Sequence, residues 1–82
     1  MILSAAGAEQ HTRVEQALRA WRLSEAKRRK VPAFRIFSDR ALQSIAVSSP
    51  RNEAELLAVP GIGTGIVKKY GAHIFRLIAA SR

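Results

Sequence analysis

The stretch AVPGIGTGIVKKYG, residues 58–71, decides how the chain is interpreted, because its alternating glycines and two following lysines are typical of a phosphate-binding loop. A dinucleotide-binding loop, however, needs the spacing Gly-x-Gly-x-x-Gly between a strand and a helix. Here the third glycine comes one position early, and the residues before the glycines favour a short helix. A P-loop needs four residues between its glycines, followed by Gly-Lys-Ser or Gly-Lys-Thr, which the stretch lacks. Both nucleotide-binding interpretations are therefore rejected.

The same residues fit a hairpin of two helices joined by a tight turn with a hydrophobic pin. Pro60 and Gly61 end the first helix. Gly61 and Gly63 allow tight backbone conformations, and Ile62 is predicted to point inward between the helices. Such a turn exposes backbone N–H groups where the next helix starts, a place where a phosphate can bind, and Lys68–Lys69 lie one turn further on. A purely structural turn, whose glycines only permit the bend, is the alternative.

Upstream of the hairpin, the sequence predicts one longer helix followed by a connector. Residues 13–29 are mainly strong helix formers, and Val14, Leu18 and Trp21 share one face, as core-facing residues do. The residue before a proline avoids helical geometry, so the next proline ends this helix. Residues 31–37, VPAFRIF, are then predicted to form an extended connector.

The remaining segments also have helical patterns. Ser38 is a suitable N-cap for a helix over residues 38–47, and Asn52 with Glu55 forms a capping-box pattern for the next helix. A fourth helix of about two turns follows the glycines, Gly71 breaks or bends it, and an apolar helix ends the bundle. No segment alternates with the period of two that strands require. The predicted fold class is all-α, a compact bundle of about five short helices.

The charge is the dominant feature of the composition. The net charge is +8 on 82 residues, with a pI near 11.4. Residues 27–51 carry seven basic residues and only one acidic residue, so most of the excess lies in one part of the chain. Such a field favours a polyanionic partner, nucleic acid first and an anionic membrane surface second. A surface that only keeps the protein in solution is the alternative.

The composition also restricts the function classes. A chain of 82 residues forms one small domain, and the lack of cysteine excludes disulfides and cysteine-ligated zinc. No apolar run approaches the roughly 20 residues that cross a bilayer. Of the two polyanionic partners that the charge favours, nucleic acid is preferred, and no membrane partner is predicted. Residues 1–12 lack the features of a secretory signal and are interpreted as a flexible linker, or the edge of a cloned fragment, before a domain over residues 13–82.

Catalysis finds no support in the sequence. His11 and His73 have no partner at a metal-ligand spacing, and Glu53 and Glu55 point in different directions on a helix. No pairing of a nucleophile with a base is visible. We therefore predict no catalytic residue, no metal site and no cofactor, and the domain itself is not expected to be an enzyme.

The second candidate site is KRRKVPAF, residues 27–34. Its basic residues are Lys27, Arg28, Arg29 and Lys30, with Arg35 just beyond. Basic side chains follow a phosphate backbone, and Phe34 offers a surface on which a base can stack. The alternatives are a solvated helix C-terminus, which cations also favour, and a core position for Phe34.

Several ordered motifs resemble the HRDC domain, the helicase-and-RNase-D C-terminal module of RecQ-type helicases, some UvrD-type helicases and RNase D. The matching pieces are LRAWR (18–22), VPAFRIFSDRALQSIA (31–46), NEAELLAVPGIG (52–63), KKYG (68–71) and IFRLI (74–78). Each piece is short, but their order over roughly residues 14–80 is specific. The resemblance implies a five-helix bundle that serves as an accessory nucleic-acid-binding or protein-contact module.

The resemblance also implies roles for individual residues. In RecQ-like members the aromatic residue of the Pro-x-aromatic loop, here Phe34, and neighbouring basic side chains engage single-stranded DNA, so Phe34 is expected to be at least partly exposed. Phe37, Leu42 and Ile45 match core positions of the family. The family often has tyrosine where Phe34 stands, so the hydroxyl hydrogen bond is missing and only stacking remains. Many members have lysine where Ile66 stands, so the hairpin is expected to be only a secondary phosphate contact.

The leading hypothesis is a non-catalytic accessory module of a DNA helicase that binds single-stranded or junction DNA weakly and without sequence specificity. The basic residues named above and Phe34 would form the site, with Lys68 and Lys69 as secondary contacts. The isolated domain is expected to be monomeric, with its parent protein at the bacterial nucleoid in the cytoplasm or in a eukaryotic nucleus. The alternatives are a docking module for the helicase core of its own chain or for an acidic partner, and an RNA-guiding domain of an RNase D-like exonuclease.

Overall fold

The protein is a bundle of four α-helices and one 3-10 helix. The computed structural model describes the backbone of residues 2–81 and the side chains of residues 11–81. In chain order the elements are α1 (Ile2–Arg29), the 3-10 helix (Ala33–Arg35), α2 (Asp39–Ser48), α3 (Glu53–Leu57) and α4 (Thr64–Ala80). The all-α fold class is confirmed, but the described part of the chain forms four α-helices rather than five.

The first helix is longer than predicted. It begins at Ile2, whereas the pattern of apolar residues predicted a start near Arg13. Ala5, Ala6 and Ala8 are strong helix formers, which explains why the helix continues upstream of the amphipathic part. The assignment of residues 1–12 to a linker, outside the domain, stays a prediction.

A reversal of the backbone at Lys30 ends α1, two residues before the proline that was predicted to end it. Lys30 has a left-handed conformation with φ of 61°. Its N–H donates to Lys27 O at 3.2 Å, and the N–H of Val31 donates to Ala26 O at 3.0 Å. This pair of hydrogen bonds is the Schellman arrangement, in which the residue after the helix normally is glycine.

The connector after α1 is not extended as predicted. Pro32 has an extended conformation, but the N–H of Arg35 donates to Pro32 O at 3.0 Å and that of Ile36 to Ala33 O at 3.0 Å. These bonds to the residue three positions back define the 3-10 helix. It turns the chain tightly enough for Ile36 to be buried.

The caps predicted for the next two helices are confirmed. The N–H of Ala41 donates to Ser38 Oγ at 3.1 Å, and the N–H of Glu55 donates to Asn52 Oδ1 at 2.9 Å. Glu55 in turn accepts a bond of 2.8 Å from the N–H of Arg51, one residue before the position in a regular capping box. Both helices therefore begin where their local sequence directs.

Gly71 does not break the last helix, so the predicted fourth and fifth helices are one continuous helix, α4. A glycine inside a helix costs only about 1 kcal/mol relative to alanine, which packing can offset. Gly71 is buried, and a Cβ placed there would lie 3.9 Å from Leu56 Cδ2 of α3. The small residue thus lies where α3 packs against α4.

The core lies where α1, α2 and α4 meet and includes the predicted pin of the hairpin. Ile62 is 5% exposed, Phe37 is 3% exposed, and Leu42 and Ile45 are fully buried, as predicted. The fully buried large side chains are Val14, Leu18, Leu42, Ile45, Leu56, Ile74 and Ile78. Across residues 2–81, no helix combines the length and the apolar character needed to span a bilayer.

Candidate nucleic-acid interface

The two stretches singled out in the sequence meet at one surface groove of about 690 Å³, which we call the basic groove. Its lining residues are Arg29, Val31, Arg35, Ile36, Gly63, Gly65, Ile66, Lys69 and Tyr70. One wall comes from the end of α1 and the 3-10 helix, and the other comes from the hairpin and the first two turns of α4. The groove therefore joins segments that are about thirty residues apart in the chain.

The basic groove carries three cationic side chains, Arg29, Arg35 and Lys69. The remaining lining is apolar, aromatic or glycine, so no side-chain carboxylate lines the groove within the described part of the chain. The cations create a local positive potential, and the aliphatic walls beside them strengthen it because they have a low dielectric constant. Such a potential attracts the phosphates of a polyanion.

The N-terminus of α4 adds to this potential. Gly63 is the N-cap and has no side chain to accept a hydrogen bond, and the first turn contains no acidic residue. The first intrahelical bond runs from the N–H of Val67 to Gly63 O at 3.1 Å, which leaves the earlier N–H groups of the helix without intrahelical partners. A Cβ placed at Gly63 or Gly65 would have no heavy atom within 4 Å, so this end of the groove is open.

Phe34 is exposed, as the resemblance implied. It is 68% exposed on the 3-10 helix, directly before Arg35 of the basic groove. Phe37, three residues later, is buried with its ring centroid 6.1 Å from that of Trp21. The core alternative for Phe34 is therefore excluded, and its ring is available to a partner.

The other basic residues predicted to bind nucleic acid lie outside the groove. Within residues 11–81, four of them are exposed without lining it: Lys27, Arg28, Lys30 and Lys68. Of the residues predicted to contact nucleic acid, only Arg29, Arg35 and Lys69 line the groove itself. The hairpin residues Pro60 and Gly61 lie outside the lining as well, whereas Gly63 belongs to it.

Glu25, which the sequence analysis did not single out, is the centre of a hydrogen-bond network beside the groove. Arg28 donates to both of its carboxylate oxygens, through Nε at 2.9 Å and through Nη2 at 2.6 Å. Arg29 Nε donates to Glu25 Oε2 at 2.7 Å, and the Tyr70 hydroxyl donates to the same oxygen at 2.9 Å. The network therefore links the end of α1 to α4. Spacings of i, i+3 and i, i+4 on a helix would have indicated the arginine pairs, but not the tyrosine.

The network shifts the pKa values of its members. Hydrogen bonds from Arg28 and then Arg29 lower the pKa of Glu25 from 4.5 to about 2, so the carboxylate is charged at neutral pH. Burial raises the pKa of Tyr70, and its hydrogen bond to Glu25 adds to that shift. The Tyr70 ring also has Arg29 Cζ at 5.6 Å and Lys69 Nζ at 6.0 Å from its centroid, within the range of cation–π attraction.

Arg22 holds the connector that carries Phe34. Its side chain is buried, Nη1 donates to Phe37 O at 2.9 Å, and Nη2 donates to Asp39 Oδ1 at 2.6 Å. The hydrogen bond from Arg22 is the main reason why the pKa of Asp39 is lowered. A buried arginine between two elements is not predictable from its own sequence neighbours, because its acceptors lie 15 and 17 residues away.

The chemistry available at this surface is binding. Glu25 and Asp39, which have arginine partners, are engaged in ion pairs rather than aimed into the groove. Among the described residues, no group of three or more His, Cys, Asp or Glu side chains could hold a metal ion. Cations, an open helix N-terminus and an exposed aromatic ring are the groups that bind phosphates and bases.

Comparison with known proteins places the chain next to helicases and ribonucleases. It is 43% identical over 61 residues to the ATP-dependent DNA helicase UvrD2 of Mycobacterium tuberculosis, which covers 74% of this chain and 9% of the helicase. It is 36% identical over 70 residues to a ribonuclease D of Gluconacetobacter diazotrophicus, covering 84% of this chain and 18% of that enzyme. The ATP-dependent DNA helicase RecQ of Bacillus subtilis is 33% identical over 78 residues, covering 95% of this chain and 13% of RecQ. The chain thus spans less than a fifth of the length of these relatives.

A solved structure shares the same fold. D. radiodurans RecQ HRDC domain 3 superposes with a TM-score of 0.81 at 33% identity, covering 85% of this chain and 92% of that one. The sequence pattern of the HRDC domain matches residues 11–78, which include α2, α3, the hairpin and all groove-lining residues. The chain therefore belongs to the HRDC domain family.

Proposed function

We propose that this domain is a non-catalytic accessory module of a DNA helicase and binds single-stranded or partly single-stranded DNA in the basic groove. The observation that carries the proposal is the convergence of residues from both basic stretches on one groove, with the exposed Phe34 directly before the lining residue Arg35 in the chain. Phosphates would be neutralised by Arg29, Arg35 and Lys69, and a base would stack on Phe34. The UvrD2 and RecQ relatives, both ATP-dependent DNA helicases, support a helicase as the parent protein.

The composition of the groove supports weak binding with little sequence preference. Reading a base edge requires paired donors and acceptors, such as the amide of asparagine or glutamine, or a bidentate arginine. The described lining contains no amide and no carboxylate side chain, and of its two arginines, Arg29 already gives its Nε to Glu25. Cations and an aromatic ring instead recognise what all sequences share, namely phosphates and π-faces.

The salt dependence of binding tests the electrostatic part of the proposal. If three groove cations neutralise three phosphates of a single strand, log K falls against log salt with a slope of about −2. The measurement is a fluorescence titration of a labelled oligonucleotide at four salt concentrations. A flat response would contradict the proposed mechanism.

Replacement of Phe34 tests the stacking part. Phe34→Ala is expected to weaken single-strand binding by about 1–3 kcal/mol, the range that a stacked base contributes. Because Phe34 is 68% exposed, the melting temperature should change little. Val47→Ala is the matched control, since Val47 is 65% exposed on α2 and does not line the groove. Equal affinities of the Phe34 and Val47 variants would remove Phe34 from the site.

Two other candidate functions use the same surface. Ribonuclease D relatives favour an RNA-guiding role, and the positive charge would equally suit docking to the helicase core or to an acidic partner. Parallel titrations with single-stranded DNA, single-stranded RNA and duplex DNA separate these candidates from the leading one. Tighter binding of RNA than of DNA would favour the first, and no binding of any nucleic acid would favour the second. Because these helicase relatives are bacterial, the proposed DNA-binding function would act at the bacterial nucleoid.

A further inference from the structure

We infer that Glu25 attenuates nucleic-acid binding by holding Arg28 and Arg29 in intramolecular ion pairs with which a bound phosphate must compete. This inference rests on the proposed function and assigns an affinity-setting role to a residue outside the groove lining. Glu25 would act through the two arginines and would not itself touch the nucleic acid.

The geometry of the ion pairs is what creates the competition. Arg28 presents Nε and Nη2 to the two oxygens of Glu25 at 2.9 and 2.6 Å. This bidentate edge is also the edge by which a guanidinium grips a phosphate. Arg29, which lines the basic groove, likewise gives its Nε to Glu25 at 2.7 Å. A phosphate can use these donors fully only by displacing the carboxylate.

Glu25 is held firmly enough to compete. It is only 8% exposed, and the Tyr70 hydroxyl of α4 donates to Oε2 at 2.9 Å, so the carboxylate is bound from two helices. Hydrogen bonds from both arginines keep its pKa at about 2, so the negative charge persists at physiological pH. Its side chain cannot leave the arginines without losing the bond to Tyr70, which belongs to the other wall of the groove.

The size of the effect follows from the charge balance. Within the Glu25 network, two arginines and one carboxylate leave a single net positive charge, whereas the two arginines alone would carry two. Removal of the carboxylate charge makes about one further phosphate contact available. For a single strand, each contact contributes about −0.7 to the slope of log K against log salt, which corresponds to about fivefold in affinity at 0.1 M salt.

The experiment compares Glu25→Gln with the matched control Glu15→Gln. Both variants raise the net charge by one, and both remove a carboxylate that pairs with an arginine of α1, since Glu15 accepts from Arg19 at 3.1 Å. Ten residues along a helix separate Glu15 from Glu25 by about 15 Å. Titration of single-stranded DNA should show Glu25→Gln binding about fivefold tighter at 0.1 M salt, with a slope near −3 rather than about −2. Glu15→Gln should stay within twofold of the wild type.

The possible outcomes are distinct. A folded Glu25→Gln variant whose affinity and slope equal those of the wild type, or whose binding is weaker, overturns the inference while the proposed function stands. Equal gains in both variants also overturn it, because the global charge would then explain them. If neither the wild type nor Glu25→Gln binds DNA, the proposed function fails together with the inference. Circular dichroism and melting establish folding, and Glu25→Met, of similar length and without charge, replaces the glutamine variant if that variant unfolds.

Discussion

Replacement by alanine should change the stability in opposite directions at Gly61 and at Gly71. Gly61, in the hairpin turn, has φ of +90°, a conformation that residues with a side chain rarely adopt. A Cβ at this position would lie 3.3 Å from Ala41 Cβ of α2, a closer approach than side chains normally make. Gly71 lies within α4, and the nearest atom to its added Cβ, Phe75 Cε2, is 3.8 Å away, an ordinary contact.

The magnitudes follow from these geometries. A left-handed conformation costs an alanine about 1–2 kcal/mol. Alanine also restricts the unfolded chain more than glycine does, which stabilises the folded state by roughly 0.4–1 kcal/mol. Gly61→Ala should therefore destabilise the fold by about 1 kcal/mol, before the close contact with Ala41 is counted. At Gly71 the backbone is already helical and space is present, so alanine should stabilise by up to about 1 kcal/mol through its helix propensity. For a domain of this size, 1 kcal/mol shifts Tm by roughly 4–8 °C.

Thermal unfolding followed by circular dichroism at 222 nm measures both variants under identical conditions, with urea titrations to obtain the free energy of unfolding. We expect Tm to fall for Gly61→Ala and to rise for Gly71→Ala, with a difference between them of about 10 °C. Neither glycine lines the basic groove, so DNA affinity below the transition should be unchanged. Equal shifts in the two variants, or destabilisation at Gly71 alone, would refute this account of the turn and of the α3–α4 packing.

Two further predictions concern the end of α1 and acid stability. Lys30→Gly should raise the free energy of unfolding by about 0.5–1 kcal/mol because glycine adopts the left-handed φ of 61° without strain. Lys27→Gly, inside the last turn of α1, should lower it by about 1 kcal/mol. Urea titration compares the two variants, and equal effects would contradict the left-handed conformation at Lys30. The folded-state pKa values of Glu25 and Asp39 are lowered, so their stabilising effect is complete above the ordinary pKa of a carboxyl group. It is lost as the pH falls through the folded-state pKa, which is about 2 for Glu25. Tm should therefore fall steadily between pH 5 and 2, and less steeply in Glu25→Gln; an identical slope in both proteins would argue against the Glu25 network.

Local sequence was sufficient for the starts of α2 and α3 and for much of the core. Ser38 and Asn52 cap α2 and α3 as predicted, and Ile62 is buried as the pin of the hairpin. These features depend on hydrogen bonds and side-chain periodicity within a few residues, which a sequence displays directly. The resemblance to the HRDC domain added the exposure of Phe34, which periodicity alone did not provide.

The errors arise where distant segments meet. Gly71 was predicted to divide the last helix, but α4 continues through it, and Leu56 of α3 lies in ordinary contact distance of an added Cβ, at 3.9 Å. The connector was predicted to be extended, but it forms a 3-10 helix whose Ala33 packs against the core. The residues of that core come from distant parts of the chain and are not visible in the seven residues of the connector. At Gly71 the tertiary packing outweighed a local preference of about 1 kcal/mol.

The sequence by itself determined an all-α domain of the HRDC family with a strongly basic surface, because charge, helix caps and ordered motifs are properties of neighbouring residues. Only the tertiary structure decided which cations share one groove, since it brings Arg29 and Arg35 together with Lys69. It also decided that Arg28 and Arg29 share one buried carboxylate, Glu25, held by a tyrosine 45 residues away. The physical reason is that the charge available to a partner depends on which groups packing places side by side, and this is not visible in the order of residues along the chain.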